Sequence, residues 1–199
     1  MESAMPLVSL QRGAIVALLF DLDGTLVDSA SANARAYAVA LGEAGVAIEV
    51  AELRAKIGGR NWRQFLPEIL EGKQSKASAK AIAERKTQLY PKMAAGVRLN
   101  EGLLALARTS RDRFQTALVT TASRQNTMAI VNQTGMDGLF DTIVTGDDVL
   151  RHKPDPEAYQ LAASRLGIDP IQCIAFEDSL TGIESARAAG MHVVSVRLE

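Results

Sequence analysis

Asp21 and Asp23 stand two residues apart at the end of an apolar run, residues 14–20, and are followed at once by Gly24 and Thr25. On extended backbone, residues i and i+2 leave the same side, so the two carboxylates can converge on one small volume while Gly24 lets the chain turn away. A pocket shared by two acids has two stable uses. It can hold a hard cation, or it can divide labour between a carboxylate that attacks and an acid that stays protonated. A calcium loop also opens with alternating acids, but it needs an acid or amide at Thr25, glycine at Leu26 and glutamate at Ala32. That reading is excluded.

The elements that must position these acids follow from the pattern around them. An apolar run without alternation over residues 14–20 predicts a strand buried on both faces, as in a parallel sheet covered by helices. Residues 1–13 read as a loose lead-in. Ser29 can cap a helix over 30–44, and helical patterns continue at 50–56, 61–70 and 75–90, punctuated by Gly58-Gly59, Gly72 and Pro91. No strand is expected among them. From Glu101 the character changes to alternation, with helices at 101–110, 124–134, 155–166 and 179–189 and strands at 116–120, 142–145, 172–176 and 192–196. This rhythm predicts an α/β fold: a doubly wound, Rossmann-like parallel sheet from residues 1–27 and 99–199, with residues 28–98 inserted as an all-helical cap. Ligands of such sheets bind at the carboxyl ends of the strands. Those ends carry Thr120-Thr121, Lys153 and Glu177-Asp178 beside Asp21 and Asp23, a set of hydroxyls, cation and acids suited to phosphate and metal.

Composition bounds the reading. At 199 residues, 47% hydrophobic and 23% charged, the chain can bury a sizeable core as one domain, or one domain with an insert. No apolar run is long enough to span a bilayer and residues 1–12 lack the features of a signal peptide, so no membrane partner and a cytoplasmic location are expected. The single cysteine, Cys173, lies in an apolar run and reads as core. A net charge of −1 argues against nucleic acid as a partner. That total hides a basic segment, residues 28–98, with a surplus of roughly +5, either a solvated surface or an attraction for an anionic substrate. His152 and His192 read as structural, and Trp62 as packing within the cap.

Asp21-Leu22-Asp23-Gly24-Thr25 resembles the first motif of the haloacid dehalogenase superfamily, and the three later strand ends resemble its other motifs in order. The resemblance implies a covalent phosphatase mechanism. Asp21 would attack phosphorus, Asp23 would serve as acid and then base, Thr25 would orient Asp23, and Thr120, with Thr121 as the alternative, would hold a phosphoryl oxygen. Lys153 would neutralise nucleophile and phosphate. Mg²⁺ would be held by Asp21, Asp178 and the Asp23 main-chain carbonyl, with Glu177 acting through a water. The insert resembles the family's mobile cap, which places Lys86 and Arg60, in the 58–61 loop, among the candidate substrate contacts. The implied substrate is a small phosphorylated metabolite, with sugar phosphates favoured, handled by a monomer or weak dimer. A phosphomutase of the β-phosphoglucomutase type and a non-catalytic ligand-binding member of the fold are the alternatives. Asn33 stands where the mutases carry a histidine, which favours hydrolysis, and Glu101-Gly102 replaces the usual Pro-Gly after the cap.

Overall fold

The computed structural model describes residues 14–57 and 60–198. The lead-in at 1–13 and the Gly58-Gly59 pair therefore lie outside the described residues. Strand β1, Ala17–Phe20, is fully buried and forms the centre of a five-stranded parallel sheet with β4 (Gln115–Val119), β5 (Thr142–Val144), β6 (Cys173–Glu177) and β7 (His192–Ser195), in the order β5-β4-β1-β6-β7. The register sets Phe20 level with Leu118 and Phe176, so the carboxyl ends of β4, β1 and β6 open on one edge, where the strand order reverses.

Alternate residues of β1 serve opposite faces, which is why the run carries no polar position. Leu18 and Phe20 join Leu118 and Phe176 beneath helices α5 (Glu101–Ser110) and α6 (Arg124–Gln133). Phe20 stacks on Phe176 at 4.9 Å. Ala17 and Leu19 face α7 (Glu157–Leu166) and α8 (Leu180–Ala188), whose small side chains Ala158, Ala162, Ala163 and Ala186 bring helix and sheet close together. Cys173 is buried on this face.

Between β1 and β4 the chain forms helices α1 (Ala30–Glu43), α2 (Val50–Ile57), α3 (Trp62–Leu70) and α4 (Ala79–Met93). They enclose their own cluster of Tyr37, Leu41, Leu53, Phe65, Leu66, Ile69 and Ile82. Ala32, Ala36, Tyr90 and Ala94 pack instead into the cluster on the sheet face. Asn61 caps α3 by accepting from Arg63 N at 3.0 Å.

Three local expectations are corrected. The fourth helix starts at Ala79 because Ser78 caps it and the Ser75 hydroxyl instead closes a turn onto Ala77. It continues past Pro91 to Met93, since a proline so near a helix end costs one backbone bond while Ala94 N still reaches Tyr90 O at 2.8 Å. The insert expected to be all-helical over 28–98 has a strand residue at each end, since β2, Val27–Asp28, pairs antiparallel with β3, Arg98–Leu99, while no strand falls among the four helices within the described residues. Two-residue strands are too short to leave a periodic signal.

Candidate active site

Asp21 leaves the end of β1 with its backbone N–H still bonded to Phe176 O at 3.0 Å, which fixes it against β6. Gly24 follows at φ +95°, and a Cβ there would lie 2.1 Å from Asp178 Oδ2. Glycine is thus required both by the turn and by the approach of the β6 loop.

Lys153, on the loop after β5, is buried, and its Nζ lies 2.8 Å from Asp21 Oδ1, 2.5 Å from Glu177 Oε1 and 2.9 Å from Val119 O. Burial alone would lower the ammonium, but the Asp21 and Glu177 carboxylates hold it well above its ordinary value. Glu177 is wholly buried, accepting also from Tyr159 Oη at 2.8 Å and Ser179 Oγ at 3.1 Å. Gly182 makes room for it, since a Cβ at that position would sit 2.0 Å from the Glu177 carboxyl carbon.

Asp21, Glu177 and Asp178 each offer a carboxylate oxygen within 4.8 Å of the others. Burial, then the charge on Glu177, pushes Asp21 well above the usual carboxylate range against the pull of Lys153, and the same two causes lift Asp178 to about 6. Three acids facing one lysine leave negative charge uncompensated, and an all-oxygen donor set of this kind fits a hard divalent cation such as Mg²⁺. The carboxylate of Asp23 stays out of this group. Its Oδ1 accepts from Ser29 Oγ and, at 3.3 Å, from Asn33 Nδ2, while its Oδ2 accepts from Thr120 Oγ1 at 3.4 Å. The two acids that the spacing brings together are therefore held by different partners.

The remaining candidates separate. Thr120 is buried, and its hydroxyl accepts from Ala122 N at 3.1 Å, whereas Thr121 lines the cavity above the acids. Thr25 departs from expectation: it is fully buried with its hydroxyl 3.3 Å from Asp178 Oδ1, because the turn at Gly24 carries it beneath the β6 loop rather than towards Asp23 or the cavity. Arg60 lines the cavity but forks onto both carboxylate oxygens of Glu68. Lys86 is buried under the cavity wall, its Nζ 4.1 Å from the centre of the Tyr90 ring and 5.1 Å from that of Tyr37. Trp62 packs on the cap cluster and also lines the cavity, with Arg63 stacked on its ring at 4.5 Å.

Ser29 and Tyr159 were not legible as site residues. Ser29 read as a helix cap, and although it stands before α1 it makes no side-chain cap bond, giving its hydroxyl to Asp23 instead. Tyr159 sits on an alanine-rich helix face that looks like plain core. The cavity between sheet edge and cap measures about 310 Å³, and Asp21, Asp23 and Lys153 form its floor.

A family model for haloacid dehalogenase-like hydrolases matches residues 18–196. The chain belongs to this family. Among its haloacid dehalogenase-like relatives, fructose-1-phosphate phosphatase YqaB of Escherichia coli is 33% identical over 181 residues, covering 91% of this chain and 96% of that protein. The crystal structure of Rhodobacter sphaeroides CbbY in complex with xylulose-(1,5)bisphosphate superposes with a TM-score of 0.83 at 27% identity, over 93% of this chain and 87% of that one. β-Phosphoglucomutase from Clostridium difficile gives a TM-score of 0.74 at 26% identity, over 91% and 84%.

Proposed function

We propose that this haloacid dehalogenase-like hydrolase is a Mg²⁺-dependent phosphatase of small phosphorylated sugars that works through an aspartyl-phosphate on Asp21. The observation that carries the reading is the separation of the two acids: Asp21 lies in the carboxylate cluster beside Lys153, and Asp23 is held apart by Ser29, Asn33 and Thr120. In this reading Asp21 attacks and Asp23 moves protons. A sugar phosphate as substrate is supported by the phosphatase relative above and by the bisphosphate in the CbbY complex.

In the first step an Asp21 oxygen bonds to phosphorus as the phosphorus–oxygen bond to the sugar breaks, and Asp23 gives its proton to the departing alkoxide. In the second, Asp23 takes a proton from a water whose oxygen attacks phosphorus, releasing phosphate and restoring the Asp21 carboxylate. Lys153 supplies a fixed positive charge to Asp21 and the transferring group, and Glu177 and Tyr159 keep that ammonium in place. Thr121 on the core side and Lys86 on the cap side, which both line the cavity, would contact substrate. Mg²⁺ held by Asp21, Asp178 and Glu177 would offset the repulsion between carboxylate and phosphate. Asn33 donates to Asp23 as a neutral amide that cannot act as an acid or base near neutral pH, which favours release to water over a mutase cycle.

The test is an assay of purified protein with Mg²⁺ against p-nitrophenyl phosphate and a panel of phosphorylated sugars, beside Asp21→Asn. Hydrolysis of sugar phosphates that chelator and the substitution each reduce at least about 1,000-fold is the expected result. Substantial turnover by Asp21→Asn overturns the nucleophile assignment. A phosphoenzyme that survives in water and discharges only to a sugar phosphate is the mutase outcome, and no turnover of any ester leaves ligand binding as the function.

A further inference from the structure

The phosphoryl end of the cavity is accounted for by Asp21, Asp23, Lys153 and Thr121, but one buried side chain on its wall has no assigned partner. Asn126 lies in the first turn of α6, lines the cavity and is only 4% exposed. Its backbone N–H donates to Ser123 Oγ at 3.3 Å, yet its side-chain Oδ1 is buried without a hydrogen bond. The neighbouring Thr127 is also buried but bonds Ser123 O at 2.9 Å, and the next turn of the helix, Ile130 and Val131, is plain core. A buried amide left unsatisfied costs stability, and an apolar residue of the same size would avoid that cost. The arrangement makes sense if the partner arrives with the substrate.

Resting on the sugar-phosphate reading, we infer that Asn126 is a specificity-determining residue whose side-chain amide pairs with a hydroxyl of the sugar leaving group. A primary amide presents a donor and an acceptor side by side, which matches a hydroxyl that both gives and takes. Its charge is zero, while the ionic part of the substrate has Lys153 and Lys86 to meet. Its place on the core side matters too. Asn126 follows Thr120 by one loop and the first turn of a capped helix, so it holds a fixed position relative to Asp21 and can report where a given hydroxyl lies once phosphorus is seated. A site built to hydrogen-bond a hydroxyl rejects the analogue lacking it far more strongly than an apolar pocket rejects a missing methylene, because the protein group is then left unpaired.

The experiment measures kcat/KM for the best sugar phosphate and each of its monodeoxy analogues, in the wild-type protein, Asn126→Leu and Asn126→Ala, with a thermal melt of each. The expected result is that one deoxy analogue is disfavoured by tenfold or more in the wild type, and that this ratio collapses towards one in both variants. Because no bond of the free protein is lost, Asn126→Leu should melt at or above the wild-type temperature. A ratio that survives in both variants overturns the inference. So does an equal fall for parent and deoxy substrates with a lowered melting temperature, which is the signature of a purely structural residue. A wild type that hydrolyses p-nitrophenyl phosphate but no sugar phosphate overturns the sugar reading itself, and the inference with it. Turnover of sugar phosphates with an unmoved ratio overturns the inference alone.

Discussion

Lys86 carries its ammonium into a nearly closed box between the rings of Tyr90 and Tyr37, where burial pushes it down to about 8 against the pull of the Asp23 carboxylate. If the charged form meets an anionic ester, kcat/KM for a dianionic sugar phosphate should hold level below about pH 7 and fall as pH rises through about 8. Lys86→Met should lower kcat/KM roughly tenfold at pH 7 and remove that alkaline fall, which a pH–rate profile of both proteins checks. Stability runs the other way. Between about 8 and the ordinary lysine value the unfolded chain binds more protons than the folded one, so this group makes the free protein more resistant to urea as pH rises through that window. Glu177 is the opposite kind of residue, with no exposure and a carboxylate that accepts from Lys153, Tyr159 and Ser179. Glu177→Gln leaves Lys153 buried with Asp21 as its remaining carboxylate, and breaking a buried pair in this way should cost about 3–5 kcal/mol in urea unfolding, with a fall in kcat.

Among the elements, Asn100 shows how the chain returns from the cap. Its N–H donates to Leu26 O at 2.8 Å, its Nδ2 to Thr25 O at 3.1 Å, and its Oδ1 accepts from Leu103 N at 3.2 Å, capping α5. One side chain therefore ties the start of α5 to the turn that bears Asp21 and Asp23. Asn100→Ala should lower stability by roughly 1–2 kcal/mol from the lost cap and the orphaned Thr25 carbonyl, read as a shifted urea midpoint with an unchanged slope. The loop that presents Lys153 is braced in the same local way. Asp148 accepts from Thr145 and from both Arg124 and Arg165, which hold its carboxyl well below the usual range despite its partial burial. The longer elements were legible: α5 and α6 fall where the sequence pattern set them, and the structure adds their Asn100 and Ser123 caps. The β2–β3 pair was not, because its identity rests on pairing between positions some 70 residues apart.

Across the whole molecule, cations of the 28–98 segment pair with its own acids, in Arg60–Glu68, Arg85–Glu43, Arg98–Asp28, Lys56–Glu52 and Lys80–Glu84, and these pairs cancel internally without reducing the basic surplus. Such exposed pairs add little stability, and they leave the long-range field of the segment unchanged. Lys86 and Arg63, which line the cavity, make no ion pair with an acid among the described residues. Raising ionic strength from about 10 to about 150 mM shortens the screening length severalfold, so kcat/KM for a dianionic ester should fall several-fold while Asp21→Asn stays inactive throughout. A salt titration at fixed Mg²⁺ checks this, and a flat response would make the surplus a solvated surface only.

What the sequence determined by itself is the kind of chemistry and where it gathers. Alternating strand and helix patterns force parallel strands, parallel strands bring their carboxyl ends to one edge, and at those ends stand Asp21, Thr120, Lys153 and Glu177-Asp178. Only the tertiary structure decided which partners each of the two acids takes. Spacing puts Asp21 and Asp23 on one side of the chain but leaves open which carboxylate joins Glu177 and Asp178. That choice was made by donors 6, 10 and 97 residues from Asp23, by a lysine 132 residues from Asp21, and for Thr25 by an aspartate 153 residues away. Hydrogen bonds weaken steeply beyond about 3.5 Å, so the last step of assembling the site depends on how distant elements pack, which no local pattern encodes.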